Sequence, residues 1–245
     1  MVATQLLGLE WWEVALALSI VLIGSATQAS IGVGLGLLAA PTLTLMDPGF
    51  IPGAISISVV PLTVGMTLRE RGHVDPQVYR AVVGRVAGIF VGAFVLTLVG
   101  QTFIAVTISV AVLFAVVASA VGLRFAPTRR NLLIAGTAAG FTGTVAGIGG
   151  PPMAITYQHA DPRVLRSSLA AFNMIGSVFI IPSLIVADVL GWREFRLGLL
   201  LVPGVLIGLW LGRIGIARLP ERLVRPGVLA ACTGSALVLL TRQIL

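Results

Sequence analysis

The chain has 245 residues, of which 57% are hydrophobic and only 10% are charged, and its mean hydropathy is +1.05. An average soluble domain is about 25% charged, so a soluble enzyme, a nucleic-acid-binding protein and a disulfide scaffold are excluded as the main interpretation. All 16 basic residues are arginines and the net charge is +7, but these arginines lie in short loops between apolar segments, as in membrane proteins. The composition predicts an all-α polytopic membrane protein in the lipid bilayer, with no nucleic-acid partner.

Long uncharged runs mark the membrane segments. Charged residues are absent for 33 positions at 14–46, for 38 positions at 86–123 and for 30 positions at 131–160. One helical span needs roughly 20 apolar residues, so the run at 86–123 predicts two helices. In chain order the sequence predicts about eight membrane segments, at 14–46, 49–68, 78–99, 102–123, 131–158, 167–187, 195–212 and 226–241.

The first segment is too long for one simple helix and too short for two full crossings. It contains the sequence Gly-Val-Gly-Leu-Gly at 32–36, followed by Pro41. Glycine and proline weaken a helix interior, so a break is predicted here. A break within a bilayer must be buried in protein or line a cavity, because its backbone polar groups need partners. The candidate substrate-binding residues of this break are Gln28, Ser30, Gly32 and Gly34.

The fifth segment has a stronger break, with the sequence Gly-Ile-Gly-Gly-Pro-Pro at 147–152. The partly positive N-terminus of a half-helix suits an anion, so two such breaks meeting near the middle of the bilayer predict an anion site. The alternative is that the breaks only shape helix packing and that small hydroxyls bond to their own helix. The candidate residues here are Thr144, Gly147, Gly149, Gly150, Pro151 and Pro152.

The chain repeats itself at about 115 residues. Each break is followed by an Asp-Pro pair and later by three glycines at four-residue spacing, which lie near one helix face and allow close packing. We therefore predict a first repeat at 1–124 and a second at 125–245 in one integrated transmembrane domain, each with one broken helix and three transmembrane helices. The matches are Gly32-Val33-Gly34 with Gly147-Ile148-Gly149, Asp47-Pro48 with Asp161-Pro162, and Gly84, Gly88 and Gly92 with Gly204, Gly208 and Gly212.

Two arrangements of these segments distribute the arginines differently. If all eight segments cross the membrane, ten arginines lie on one side and six on the other. If both broken segments re-enter and return on the same side, the split becomes thirteen to three and the halves are inverted. The positive-inside rule favours the second arrangement, while inverted and parallel repeats both stay open at this point.

Three polar side chains outside the breaks bear on the site. The forked guanidinium of Arg166 fits sulfonate or carboxylate oxygens, or it extends to the lipid headgroups. Asn173, two helical turns further along, contacts either the substrate or another helix. Arg85 is expected to extend from its basic loop to the headgroups.

The sequence contains no pattern for catalysis or metal binding. No nucleophile–base motif occurs, so the chain is predicted not to be an enzyme. The single Cys232 and two distant histidines predict no metal and no cofactor. No Asp, Glu or His lies in the middle of a segment, so coupling to protons stays open.

The string GFTGTVAGIGGPPMAITY, followed by DPRVLRSSLAAFN, resembles the second-half signature of the TauE/SafE family of sulfite exporters and sulfonate permeases. SATQASIGVGLGLLAAPTLTL resembles the first-half signature, but Leu35 interrupts the glycine run that is usual there. RGHVDPQVYRAVVGRVAGIFVGAFV is similar to the loop and glycine helix of the family. The resemblance implies a permease of the bacterial cytoplasmic (inner) membrane, with eight segments in two halves, that moves small sulfur-containing or organic anions.

The resulting hypothesis is a secondary transporter for a small anion, such as sulfite, an organosulfonate or a related carboxylate. The anion binds at the two broken helices, and one repeat moves against the other to give alternating access. A passive anion channel is the main alternative, because selective pores also use oriented backbone dipoles. The expected partners are the anion and the bilayer, and a homodimer stays open.

Overall fold

The computed structural model describes residues 5–121, 125–157, 160–214 and 221–244, and the described part of the chain is almost entirely helical. Within these residues, a short hairpin of β1 (Gln5–Leu6) and β2 (Leu9–Glu10) precedes ten helices. The predicted boundary between repeats, at residue 124, lies outside the described residues. The helices are α1 Trp11–Ile31, α2 Leu35–Met46, α3 Gly53–Arg69, α4 Val78–Leu96, α5 Gln101–Val121, α6 Arg129–Ala146, α7 Pro151–Tyr157, α8 Pro162–Val186, α9 Trp192–Ile214 and α10 Glu221–Ile244.

The outer surface of the helices is apolar. Within the described residues, five helices, α1, α4, α5, α8 and α9, are long and apolar enough to cross a membrane. Large hydrophobic side chains such as Val83, Phe94 and Val186 are exposed on them. A soluble protein rarely exposes so much contiguous apolar surface, so the structure agrees with a polytopic membrane protein.

Both predicted helix breaks are confirmed. Gly32 ends α1 with φ of 93°, and Gly147 ends α6 with φ of 70°. These left-handed conformations favour glycine, because a Cβ atom would clash with the backbone. The chain resumes a helix at Leu35 after the first break and at Pro151 after the second.

The first glycine triplet forms a tight interface between α4 and α6. A methyl group added at Gly84 or Gly88 would overlap the backbone of α6, and one at Gly136 or Gly140 would overlap the backbone of α4. The contacts advance together along both helices, so α4 and α6 run parallel. The glycines therefore bring the two backbones together as their spacing predicts.

The second glycine triplet does the same for α9 and α1. Methyl groups at Gly204, Gly208 and Gly212 would meet the backbone of α1 at Leu18, Leu22 and Ala26, respectively. These two helices also run parallel. Each triplet helix thus packs on the broken helix of the other part of the chain.

Polar contacts show which helix ends lie together at one end of the molecule. Arg193, in the first turn of α9, donates to Asp47 after α2 at 3.1 Å and to the Leu7 carbonyl before α1 at 3.4 Å. The start of α1 and the end of α2 therefore lie together, so the first broken segment returns to the end from which it starts.

The opposite end collects the other helix termini. Arg166 in the first turns of α8 pairs with Glu70 after α3 at 3.0 Å. Tyr157, the last residue of α7, donates to Asp75 before α4 at 2.8 Å. Because α6 runs parallel to α4, its start lies at this end with the end of α7. The second broken segment therefore also returns to the end from which it starts.

Candidate functional site

A small cavity of about 60 Å³ lies where the two helix breaks meet. The breaks are in direct contact, since a methyl group at Gly36 would overlap the carbonyl oxygen of Gly147. At 10–15 Å³ per water, the cavity has room for roughly four waters. Its walls come from both breaks and from α3, α4, α6 and α8. The polar and glycine residues that line it are Gln28, Gly32, Gly34, Gly36, Ser56, Arg85, Gly143, Gly147, Gly149, Gly150, Asn173 and Ser177.

The first break presents the N-terminus of α2 to this cavity. Gln28 reaches across the break, and its Oε1 atom accepts from the Leu35 N–H at 3.1 Å. The next two N–H groups, of Gly36 and Leu37, have no acceptor among the described residues. Free N–H groups at a helix N-terminus favour a negative charge, so this break can bind an anion through the backbone.

The second break begins its short helix with two prolines. The N–H groups of Gly147 and Ile148 donate to α6 carbonyls at 3.2 Å each. Pro151 and Pro152, which begin α7, have no N–H group. The N–H groups of Gly149 and Gly150, which line the cavity, are without an acceptor in the described part of the break. This break therefore contributes fewer N–H groups than its position at a helix N-terminus predicts.

The side chain of Arg85 faces the second break instead of the headgroups. The residue is only 4% exposed. Its Nη1 atom donates to Asn173 Oδ1 at 3.0 Å, and its Cζ atom lies 4.3 Å from the centroid of the Phe172 ring. A methyl group at Gly149 would lie 3.2 Å from Nη1. The expectation that Arg85 extends to the headgroups is therefore wrong, because α8 packs against the guanidinium and holds it inside the bundle.

Glycines make room for this guanidinium. A methyl group at Gly176 of α8 would overlap the Nε atom of Arg85. The Nε atom itself is buried without a hydrogen-bond partner among the described residues. Arg85 is thus a tightly packed cation that uses few of its donors within the protein.

The structure brings eight of the twelve predicted binding residues to the cavity and leaves four outside its lining. Thr144 is fully buried and donates to the Gly140 carbonyl at 2.8 Å, as the packing alternative expected. Pro152 follows Pro151 into α7 without lining the cavity. The eight are Gln28, Gly32, Gly34, Gly147, Gly149, Gly150, Pro151 and Asn173, and the four are Ser30, Thr144, Pro152 and Arg166.

Ser30 and Arg166 line a second, wider opening together with Arg69, Glu70 and Arg213. Glu70 Oε1 accepts from Arg69 at 2.6 Å and from Arg166 at 3.0 Å. The guanidinium of Arg166 is therefore held at this opening by a carboxylate, while its stem packs near Gly32 of the first break. The opening carries more positive than negative side chains and is here called the arginine vestibule.

The site residues that the sequence interpretation missed are Arg85, Ser56 and Ser177. A signal for Arg85 was present, since it follows Gly84 directly and therefore lies near the Gly84–Gly88–Gly92 face, which packs against other helices. The two serines gave no signal, because only tertiary packing shows which hydroxyls reach a cavity. Ser177 also donates to its own helix, at the Asn173 carbonyl.

Comparison with known families identifies one relationship. The family model described as Sulfite exporter TauE/SafE matches residues 16–239, nearly the whole chain. Neither the curated proteins nor the solved structures give a match. The family match covers both helix breaks and every residue that lines the cavity.

Proposed function

Since the chain belongs to the sulfite exporter TauE/SafE family, we propose that it is a secondary transporter for a small sulfur-containing anion in the bacterial cytoplasmic membrane. The family is one of membrane transporters and not of enzymes. Family membership alone does not give the place where the anion binds, the transport mechanism or the kind of anion, and these three are proposed below.

The observation that carries the proposal is the cavity at which the two helix breaks meet. Broken helices that face each other inside a bundle are the usual substrate site of secondary transporters. Here the first break offers the free N–H groups of Gly36 and Leu37, and Gln28, Asn173 and Ser177 add polar side chains. An anion bound there would contact donors from both parts of the chain at once.

The mechanism is alternating access between two inverted repeats, each with one re-entrant broken helix and three crossings. Contacts at the helix ends support this arrangement. Asp47 and Arg193 meet at one end, while Glu70 and Arg166 meet at the other. If all segments crossed, each of these pairs would be split between opposite sides. With Arg85 inside the bundle, the same arrangement places twelve of the 16 arginines on one side, as the positive-inside rule favours.

The size of the cavity favours a compact anion. Space for roughly four waters suits sulfite better than an organosulfonate such as taurine, for which the two breaks would have to move apart.

The arginine vestibule lies on the same side as most of the arginines, and its positive charge attracts anions towards the cavity from that side. Arg166 acts in this vestibule and not as a direct ligand in the cavity.

Counterflow in liposomes tests the proposal. The purified protein is reconstituted in liposomes loaded with unlabelled sulfite, and uptake of ³⁵S-sulfite, taurine or sulfoacetate is followed with and without a pH gradient. We expect saturable sulfite uptake that is accelerated by internal sulfite, because a carrier exchanges its substrate across the membrane. The response to the pH gradient shows whether protons are coupled.

Two results would contradict the proposal. Linear sulfite flux at high conductance without counterflow would identify a passive channel. Absence of flux for all three anions, with protein that was monodisperse before reconstitution, would exclude these sulfur anions as substrates. Protein-free liposomes made from the same lipids serve as the control for leakage.

A further inference from the structure

Arg85 is a buried cation that no described carboxylate neutralises. The ion pairs in the described part of the chain use Arg69, Arg166 and Arg193. All nine acidic residues of the chain lie in loops, in the β1–β2 hairpin or in the first turn of a helix. Arg85 is the eighth residue of α4, inside a membrane-spanning helix, and no described ion pair joins it to any of these acidic residues.

The neighbours of Arg85 hold its guanidinium in place but leave its charge uncompensated. Asn173 contributes a neutral amide oxygen, and Phe172 contributes the face of its ring. A guanidinium has five N–H donors, and among the described residues Arg85 makes a single hydrogen bond, from Nη1. A buried charge without a counterion is costly inside a membrane protein and marks a functional site.

The unused donors of Arg85 lie beside other unused donors. Methyl groups at Gly149 and Gly143 would lie 3.3 Å and 3.8 Å, respectively, from its Nη2 atom. The N–H groups of Gly149 and Gly150, and of Gly36 and Leu37 across the cavity, also have no described acceptor. All these residues line the same cavity. Donors without acceptors, converging on one cavity around an uncompensated cation, are complementary to an anion with several acceptor oxygens.

We propose that Arg85 is the charge-recognition residue of the transporter and binds a small oxyanion between its guanidinium and the N-terminus of α2. This inference rests on the proposed function and assigns the anion's charge to one residue. The forked N–H groups of arginine match two oxygens of one oxyanion, so sulfite or a small carboxylate binds in preference to chloride. Asn173 is a positioning residue that fixes the orientation of the fork.

The proposal makes the site asymmetric although the glycine triplets match. At the shift of 120 residues that aligns Gly84 with Gly204, Arg85 aligns with Val205, which is fully buried in α9. The second half therefore contributes no cation at the corresponding place. One cation in one cavity supplies a single counter-charge for the bound anion.

Anion-dependent thermal stabilisation of the detergent-purified protein tests the proposal separately from transport. Melting temperatures are measured with sulfite, acetate and chloride at equal ionic strength for the wild type, Arg85→Gln, Arg85→Lys and Asn173→Asp. The control is Arg80→Gln, which removes an exposed arginine from the same helix. We expect sulfite and acetate to stabilise the wild type and Arg80→Gln more than chloride does.

Arg85→Gln is expected to weaken oxyanion binding about 30-fold or more, as loss of one partner of a buried charged pair does. Arg85→Lys keeps the charge without the fork, so it retains binding but loses the preference for oxyanions. Asn173→Asp places a carboxylate 3.0 Å from Nη1 and should abolish anion binding while the protein remains folded. This variant keeps the test valid if Arg85→Gln does not fold.

The outcomes separate this inference from the proposed function. If Arg85→Gln, or Asn173→Asp where the former is unfolded, keeps wild-type oxyanion affinity, Arg85 is not the charge-recognition residue even if sulfite is transported. Failure of all three anions to stabilise the wild type also overturns the inference. Stabilisation that depends on Arg85 supports it even if liposome flux identifies a channel.

Discussion

The two helix breaks occupy corresponding places in the chain but offer different chemistry to the cavity between them. At the first, Gln28 spans the break and α2 presents free backbone N–H groups. At the second, two prolines remove backbone donors from the start of α7, and the glycines give space to the guanidinium of Arg85. One break offers a helix N-terminus and the other offers a side-chain cation. Matched backbones therefore do not imply matched binding groups.

The difference has a physical basis in helix length. The helix after the first break has 12 residues and that after the second has seven. A longer helix aligns more peptide dipoles, so its N-terminus favours an anion more strongly. The short α7 gains little from this effect, and the positive charge of Arg85 takes its place on that side of the cavity.

The largest expected effect comes from adding a methyl group where the two breaks touch. Gly36→Ala places a methyl group against the carbonyl oxygen of Gly147, a backbone atom, whereas Gly150→Ala meets only the Val33 side chain. Overpacking of this kind costs about 1–3 kcal/mol, and we expect Gly36→Ala to be the more damaging of the two in both melting temperature and sulfite counterflow. Gly72→Ala, with open space around it, is the control. Equal losses in the two variants would show that the breaks do not abut as described.

The second effect concerns the backbone of the two breaks. Gly32→Ala and Gly147→Ala each force alanine into a left-handed conformation, which costs about 1–2 kcal/mol. The methyl group at Gly147 would also lie 2.9 Å from Ile55 Cγ2, while that at Gly32 has its nearest contact at 3.3 Å. Chemical or thermal unfolding should therefore rank Gly147→Ala below Gly32→Ala in stability. The reverse ranking would contradict the packing of the second break.

The third effect distinguishes a residue that lines the cavity from one that only stabilises a helix break. Gln28→Ala removes the acceptor for the Leu35 N–H, and Thr142→Val removes the donor to the Ile148 carbonyl at 2.7 Å. Each loss should cost about 1 kcal/mol of stability. Only Gln28 lines the cavity, so the KM for sulfite should rise in Gln28→Ala and stay unchanged in Thr142→Val. A similar rise of the KM in both variants would mean that the stability of the helix breaks, and not the position of Gln28 at the cavity, controls the affinity for sulfite.

The smallest effect concerns the polar contacts at the C-terminal ends of α2 and α7. At the end of α2, the hydrogen bond from Arg193 lowers the pKa of Asp47 below its ordinary value of 3.8. At the end of α7, the corresponding contact is the hydrogen bond from Tyr157 to Asp75. A carboxylate with a lowered pKa stabilises the fold above that ordinary value and loses the effect as the pH falls through the folded-state pKa. Asp47→Asn should lower stability by less than about 1 kcal/mol at neutral pH, because the Arg193 side chain is 45% exposed to solvent.

Melting curves of the wild type and Asp47→Asn over a pH series test this effect. The difference between them should be constant near neutral pH and should disappear on acidification below about pH 4. A difference that persists in acid would assign the effect of Asp47 to its hydrogen bond to the Gly49 N–H rather than to the ion pair.

The sequence predicted the features that depend on glycine and proline. Both breaks and both glycine interfaces follow from residues whose backbone effects are local, and the predicted segments agree closely with the helices. The position of Arg85 was predicted wrongly, because its depth depends on Gly176 and Phe172 of α8, far away in the chain. Arg166 lies in the vestibule because Glu70 neutralises it, and such a pairing between distant loops cannot be inferred from local spacing.

The anion is proposed to bind between the two breaks. Crystals soaked in selenite, a heavier analogue of sulfite, would show the bound anion directly by its anomalous signal. We expect a peak in the central cavity, within hydrogen-bonding distance of the Arg85 guanidinium and of the Gly36 N–H. A peak confined to the arginine vestibule at Arg69 and Arg166 would contradict it.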